Sequence, residues 1–133
     1  MDHSIAFRPY QRVILVDDVP AVRRVVQEIL ELLAYPVLAT ADMHHAAHLW
    51  AADSASLLVA DGTVLKSHRA SLRHLLEPHA SRLIVMSGYA LRDLPGLAFM
   101  TGVAFLRKPF TIDELHAVMG RMAPPAAYAA GDR

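Results

Sequence analysis

The stretch RVILVDD, residues 12–18, is the part of the sequence that decides the fold. Four consecutive apolar residues, Val13 to Val16, end abruptly at two aspartates, Asp17 and Asp18. A short apolar run of this length is typical of a strand that is buried on both faces, and the aspartates indicate a polar loop at its carboxyl end. Such strands occur in parallel sheets whose two faces are covered by helices.

Similar apolar runs alternate with helical segments along the rest of the chain. The patterns predict strands over residues 12–16, 36–40, 57–60, 82–86 and 103–106, and helices over 20–34, 42–50, 68–76, 94–100 and 111–122. Pro20 suits a first helical turn, Asp42 can cap the second helix, and Thr111 forms a capping-box pattern with Glu114. Alternating strands and helices predict an α/β domain with a parallel sheet.

Composition narrows the class of protein. The 133 residues suit one domain, and 13 basic residues balance 13 acidic ones, which gives no support for nucleic-acid binding. The absence of cysteine excludes disulfides and thiol catalysis, and no apolar run is long enough to cross a membrane. We expect a cytoplasmic protein with an N-terminal extension (1–10), one domain (11–122) and a flexible Ala/Pro-rich tail (123–133). The initial methionine and this tail favour a stand-alone protein.

Polar residues follow four of the five predicted strands. Asp17 and Asp18 follow the first, Asp61 the third, Ser87 the fourth and Lys108 the fifth. Sites in open parallel sheets form at these carboxyl ends, and three converging carboxylates require a cation such as Mg²⁺. Asp61 is the natural nucleophile toward phosphorus; the ammonium of Lys108 would neutralise the phosphoryl group, and the Ser87 hydroxyl would hydrogen-bond it.

The ordered set Asp17-Asp18, Asp61, Ser87 and Lys108-Pro109-Phe110 resembles response-regulator receiver domains over roughly residues 11–122. The resemblance implies a flavodoxin-like, doubly wound fold with a five-stranded parallel sheet in the order 2-1-3-4-5 and five flanking helices. It also implies a role for each matching position. The ligands of Mg²⁺, for which Mn²⁺ can substitute, would be Asp17, Asp18, the phosphoacceptor Asp61 and the backbone carbonyl of Thr63. Ser87 would be the switch residue, Phe105 the aromatic residue that moves inward on phosphorylation, and Lys108 would be joined to Pro109 by a cis peptide.

The same resemblance implies partners rather than an external substrate. A histidine kinase or a histidine-containing phosphotransfer protein would donate the phosphoryl group, and the domain would at most hasten its own dephosphorylation. The responding surface would be the face of the fourth predicted helix, the fifth strand and the fifth helix, through which a homodimer can also form. The run Met86-Ser87-Gly88-Tyr89 is similar to receivers attached to hybrid histidine kinases.

The segment after Asp61 departs from the family pattern. Residues 61–67, DGTVLKS, contain neither Met-Pro nor the usual glycine-containing loop, and the spacing from Asp61 to Ser87 is shorter than usual. We therefore predict that this loop and the third helix are remodelled. The departure motivates an alternative function, a receiver-like binding module that signals without phosphorylation.

Two further motifs allow other interpretations. Asp61-Gly62-Thr63 resembles the end of the nucleophile motif in haloacid-dehalogenase-type phosphatases, but the nucleophile position of that motif is Val59 here. His44 and His48 have the i, i+4 spacing of a zinc-binding pair, and no third ligand is evident from the sequence. A solvated helix face is the preferred interpretation of these histidines.

Overall fold

The apolar runs form one sheet in a computed structural model that describes residues 10–89 and 102–122. Its strands are β1 (Arg12–Val16), β2 (Val37–Thr40), β3 (Ser56–Asp61), β4 (Leu83–Ser87) and β5 (Ala104–Arg107). The order is β2-β1-β3-β4-β5 and every pairing is parallel, which confirms the predicted topology. The central strand β3 is buried along its whole length, as expected for a strand covered on both faces.

Four α-helices lie within the described residues: α1 (Pro20–Leu32), α2 (Met43–Ala52), α3 (Gly62–Leu76) and α4 (Ile112–Arg121). The helix predicted over residues 94–100 and the tail from residue 123 lie outside the described residues. The C-terminal helix α4 is therefore the fifth helix of the predicted order. No helix within 10–89 and 102–122 has both the length and the apolar character needed to span a bilayer.

Alternating side chains of the strands divide the core into two layers. Ile14 and Val16 pack on the side of α2 and α3, whereas Val13 and Leu15 pack on the side of α1 and α4. Side chains of a strand point to opposite faces of the sheet in alternation, so both faces are apolar and both are covered by helices. A parallel sheet covered in this way is called doubly wound. Tyr10, placed by the sequence in the N-terminal extension, is fully buried in the second layer. The packed part of the chain therefore includes residue 10.

Helix ends follow the local signals in most places. The Asp42 carboxylate accepts a hydrogen bond from the His45 amide (3.0 Å), and Thr111 and Glu114 form the predicted capping box. Helix α1 ends at Leu32, two residues earlier than predicted, because the chain turns at Ala34, whose φ is 68°. The amide of Tyr35 donates to the carbonyl of Leu30 across this turn, so this carbonyl in the last turn of the helix has a hydrogen-bond partner.

The largest correction concerns α3. The sequence pattern predicts a helix over residues 68–76, but α3 begins at Gly62, directly after the last residue of β3. No loop separates the strand from the helix, so the predicted remodelling of this segment takes the form of an elongated helix. Its N-cap is Asp61.

Candidate functional site

The sheet topology brings three aspartates together at the carboxyl edge. Val16 of β1 pairs with Ala60 of β3. Asp17 follows Val16 and Asp61 follows Ala60, so these two aspartates are neighbours. β1 and β3 are also the strands at which the order 2-1-3-4-5 reverses, the position where ligands bind in doubly wound sheets. One ligand oxygen from each of Asp17, Asp18 and Asp61 lies within 4.8 Å of the others.

Exposure differs among these three carboxylates. Asp17 is fully buried and Asp61 is 8% exposed, whereas Asp18 is exposed to solvent. A cluster of carboxylate oxygens with one open side fits a hard divalent cation that keeps several water ligands, as Mg²⁺ does. The donor set of Asp17, Asp18 and Asp61 therefore fits the metal that the family resemblance implies. Within the described residues this is the only such group of three ligating side chains.

The ammonium of Lys108 bridges two of the carboxylates. Its Nζ lies 2.8 Å from Asp61 Oδ1 and 3.0 Å from Asp17 Oδ2. Burial by itself would lower the pKa of Lys108, but the hydrogen bonds to Asp61 and Asp17 and the charges of these carboxylates outweigh it, so the pKa lies above its ordinary value. Lys108 is therefore a permanent cation between Asp17 and Asp61 at neutral pH.

The backbone fixes the position of this lysine. The Lys108 amide donates to the carbonyl of Ser87 (2.8 Å), which ties the end of β5 to the end of β4. The peptide between Lys108 and Pro109 is cis, as the family resemblance implies.

The loop after β1 is held by Asp17 itself. Its Oδ1 accepts the Val19 amide (3.0 Å), and its backbone carbonyl accepts Arg23 Nη1 of α1 (2.7 Å). Both side-chain oxygens of Asp17 are thus engaged, one by the loop and one by Lys108. The contact of Arg23 could not be predicted from the sequence, because an arginine on an amphipathic helix carries no local signal for a contact six residues back.

Asp61 combines two roles in one carboxylate. Its Oδ2 accepts the amides of Thr63 (3.1 Å) and Val64 (3.2 Å), the hydrogen bonds of a helix N-cap. Its Oδ1 binds Lys108. The residue predicted as phosphoacceptor is therefore also the residue that starts α3, a role that the sequence analysis missed.

The Thr63 carbonyl, which the resemblance implies as a metal ligand, lies in the first turn of α3. Thr63 is the second residue of α3, and carbonyls of helical residues point toward the carboxyl end of the helix. The hydroxyl of Ser67 donates to this carbonyl at 3.1 Å. The Thr63 carbonyl is thus an acceptor within the helix, and its role as a metal ligand stays a prediction of the family resemblance.

Ser87 and Phe105 occupy the β4–β5 side of the edge. Ser87 is buried, and its Oγ accepts the amide of Tyr89 at 2.9 Å, so the hydroxyl keeps its own proton to donate. Arg107 Nε donates to the Gly88 carbonyl (3.1 Å), which fastens the same turn to β5. Phe105 is half-buried and packs against the core layer of α2 and α3.

The two alternative motifs gain no support. Val59 is a fully buried residue of β3, without a group for nucleophilic chemistry. The ring of His44 contacts the ring of His68 on α3 (centroids 5.2 Å apart), while His48 Nδ1 hydrogen-bonds the His44 carbonyl. In the described part of the chain these histidines do not form a group of three ligands around one ion.

Comparison with known proteins supports the fold assignment. No protein-family model and no curated protein matches the chain. Solved structures do match. The receiver domain of the sensor histidine kinase PA1611 from Pseudomonas aeruginosa, with a magnesium ion coordinated in its active-site cleft, is 23% identical with a TM-score of 0.65, over 85% of this chain and 97% of that one.

Two further structures agree. The receiver domain of the hybrid histidine kinase CckA is 29% identical with a TM-score of 0.54, over 80% of this chain and 93% of that one. A response regulator from Burkholderia pseudomallei, with a phosphorylated aspartic acid and a calcium ion, is 20% identical with a TM-score of 0.64, over 92% and 72% of the two chains. The chain therefore has the doubly wound fold of response-regulator receiver domains, as the sequence motifs indicated.

Proposed function

We propose that this protein is a magnesium-dependent phosphoacceptor switch, with Asp61 as the phosphorylated residue. The observation that carries the proposal is the arrangement around Asp61, where two further aspartates lie within 4.8 Å and a lysine ammonium bridges Asp61 to Asp17. Phosphoryl transfer depends mainly on positioning and charge neutralisation, and both are provided here. The domain has no external substrate; it accepts one phosphoryl group and at most accelerates its release.

The chemistry requires one nucleophilic oxygen. A side-chain oxygen of Asp61 attacks the phosphorus of the donor, the bond from phosphorus to the donor nitrogen or oxygen breaks, and an aspartyl phosphate forms. Lys108 moves from the carboxylate to a phosphoryl oxygen, and Ser87 donates its hydroxyl proton to another. Asp17, Asp18 and Asp61 would hold Mg²⁺ (or Mn²⁺ in its place), which would supply further positive charge.

A protein donor has an apolar surface available beside this site. Helix α1 and residues 108–110 form a groove of about 480 Å³, whose lining residues include Val22, Val25, Ile29, Lys108, Pro109 and Phe110. Val25 is 55% exposed although it is a large apolar residue. We propose that a cytoplasmic histidine kinase or histidine phosphotransfer protein packs on this groove and thereby brings its phosphohistidine to Asp61.

The response would involve the β4–β5 side of the site. The Ser87 hydroxyl would donate its free proton to the phosphoryl group while its oxygen accepts from Tyr89, and the half-buried ring of Phe105 would then move inward. The altered surface would comprise β5, α4 and the fourth predicted helix (94–100), which lies outside the described residues. Binding of a downstream protein, or of a second copy of this chain, would use this face.

The test is intact mass spectrometry after incubation with acetyl phosphate and Mg²⁺. We expect one phosphoryl group on the wild type, none on Asp61→Asn and none when EDTA replaces Mg²⁺. Asp42→Asn is the matched control, because Asp42 caps α2 away from the cluster. Equal labelling of Asp61→Asn and wild type would exclude Asp61 as acceptor, and no labelling by acetyl phosphate or by any purified kinase would exclude the function.

A second function, binding without phosphorylation, is favoured by one observation. The helix α3 begins directly after Asp61, the Thr63 carbonyl already accepts the Ser67 hydroxyl, and both Asp61 oxygens already have partners. A binding module of this kind would have the same partner affinity with and without Mg²⁺ and phosphodonor. Its partner affinity would also be unchanged in Asp61→Asn, whereas a switch would lose the response.

A further inference from the structure

Asp18 is the least constrained of the three clustered carboxylates. Asp17 and Asp61 each accept hydrogen bonds with both side-chain oxygens. The side chain of Asp18 is exposed and has no hydrogen-bond or ion-pair partner among residues 10–89 and 102–122. The position of the Asp18 carboxylate in the cluster therefore depends on the backbone of residues 17–19.

Two hydrogen bonds fix the two peptide planes beside Asp18. The plane before it carries the Asp17 carbonyl, which accepts Arg23 Nη1 at 2.7 Å. The plane after it carries the Val19 amide, which donates to Asp17 Oδ1 at 3.0 Å. The Arg23 amide also donates to the Val19 carbonyl at 2.9 Å, so this arginine binds the loop through its backbone and its side chain. Because peptide units are planar, these contacts set the direction in which the Asp18 side chain leaves the backbone.

We propose that Arg23 is a positioning residue for the metal site: its guanidinium holds the Asp17–Asp18 peptide so that the Asp18 carboxylate can bind a divalent cation. This inference rests on the proposed function, since it requires that the three aspartates bind such a cation. Asp17 and Asp61 would keep their hydrogen bonds to Lys108 without Arg23. The effect of removing the guanidinium therefore falls on Asp18.

The charge of Arg23 by itself would act in the opposite direction. A guanidinium near a cation site repels the cation, so removal of this charge alone would strengthen cation binding. Loss of a group that orients a metal ligand instead weakens binding, by roughly 10–100-fold. The sign of the effect therefore distinguishes the two roles. Arg24 provides the control for charge, because it is the next residue of α1 and is exposed.

Binding of Mn²⁺ alone, followed by the electron paramagnetic resonance of the free ion, tests the proposal. We expect the dissociation constant of Arg23→Met to be roughly tenfold higher than that of wild type. The dissociation constant of Arg24→Met should be equal to that of wild type or lower. Methionine and arginine have similar helix propensities, so neither substitution should disturb α1. Urea unfolding in EDTA, followed by Trp50 fluorescence, verifies that each variant is folded.

A double-mutant cycle tests whether Arg23 acts through Asp18. Asp18→Ala should weaken Mn²⁺ binding by itself, and adding Arg23→Met to it should then have little further effect. An undiminished loss on adding Arg23→Met would overturn the inference, because Arg23 would then act on another part of the site.

The outcomes separate this inference from the proposed function. Equal or tighter Mn²⁺ binding by Arg23→Met would overturn the inference, as would an equal loss in Arg23→Met and Arg24→Met. Phosphorylation of wild type on Asp61 would leave the function standing in either case. Wild type that binds Mn²⁺ and accepts no phosphoryl group from any donor would overturn the function, while the comparison of the two arginine variants would still decide this inference.

Discussion

Replacement of Lys108 by methionine should expose the repulsion that the ammonium suppresses. The side chains of Lys108, Asp17 and Asp61 are 22%, 1% and 11% exposed, so the variant leaves two largely buried carboxylates without their cation. Removing one partner of a buried ion pair costs about 3–5 kcal/mol, and the partial exposure of Lys108 places this case near 3 kcal/mol. For a domain of this size that corresponds to a melting temperature lower by roughly 10 °C.

The assay is urea unfolding followed by the fluorescence of Trp50, the single tryptophan, which is fully buried. Measurements in EDTA and in Mg²⁺ test whether repulsion between the carboxylates causes the loss of stability in Lys108→Met. We expect Mg²⁺ to stabilise Lys108→Met more than wild type, because a cation at the cluster relieves a larger repulsion there. Lys66→Met is the matched control, since Lys66 is exposed on α3. Wild-type stability of Lys108→Met in EDTA, or an equal response of both proteins to Mg²⁺, would refute the reasoning.

Three further perturbations follow from individual contacts. Because the folded-state pKa of Lys108 is raised, its contribution is fully present below the ordinary value of 10.5 and is lost as the pH rises through the folded-state pKa. The stability difference between wild type and Lys108→Met in urea should therefore be constant from about pH 7 to 9 and shrink only above roughly 10.5; a decline below pH 9 would contradict this. Arg82→Met should lower the free energy of unfolding by about 2–4 kcal/mol, because Nη1 of this buried residue donates to the carbonyls of Trp50, Asp53 and Ser56. A loss below about 1 kcal/mol in urea titrations would show that water molecules replace the guanidinium as donors to these carbonyls. Gly102→Ala should cost about 1–2 kcal/mol, since φ is +90° and an added Cβ would lie 3.3 Å from Ser81 Cα; an unchanged melting temperature would contradict the strain.

The sheet was predictable because its information is local. Each central strand is a short apolar run, and the alternation of its side chains between the two core layers follows from backbone geometry alone. The capping signals at Asp42 and Thr111 are equally local and are found where predicted. The contact between Lys108 and Asp17, which are 91 residues apart, could not be predicted from any local pattern. Its prediction depended on the order of polar residues at the strand ends and on the family resemblance.

The start of α3 was missed because one residue carried two signals. Gly62, Thr63 and Val64 have low helix propensity, and Asp61 had already been assigned to chemistry, so a loop was expected. The apolar spacing of Leu65, Leu72 and Leu76 and the capping preference of aspartate would have indicated a longer helix. The three carbonyls that Arg82 binds could not be predicted at all, since they lie 26 to 32 residues away and converge only in the folded chain.

The direct connection from β3 to α3 also explains how three carboxylates coexist at one edge. Helix α3 begins at Gly62, directly after Asp61, and α1 begins at Pro20, two residues after Asp18, so the partially positive ends of both helices lie next to the cluster. The Lys108 ammonium adds a full positive charge between Asp17 and Asp61. The amides of Thr63 and Val64 also donate to Asp61. These positive groups stabilise the resting carboxylates, and α3 depends in turn on Asp61 as its N-cap.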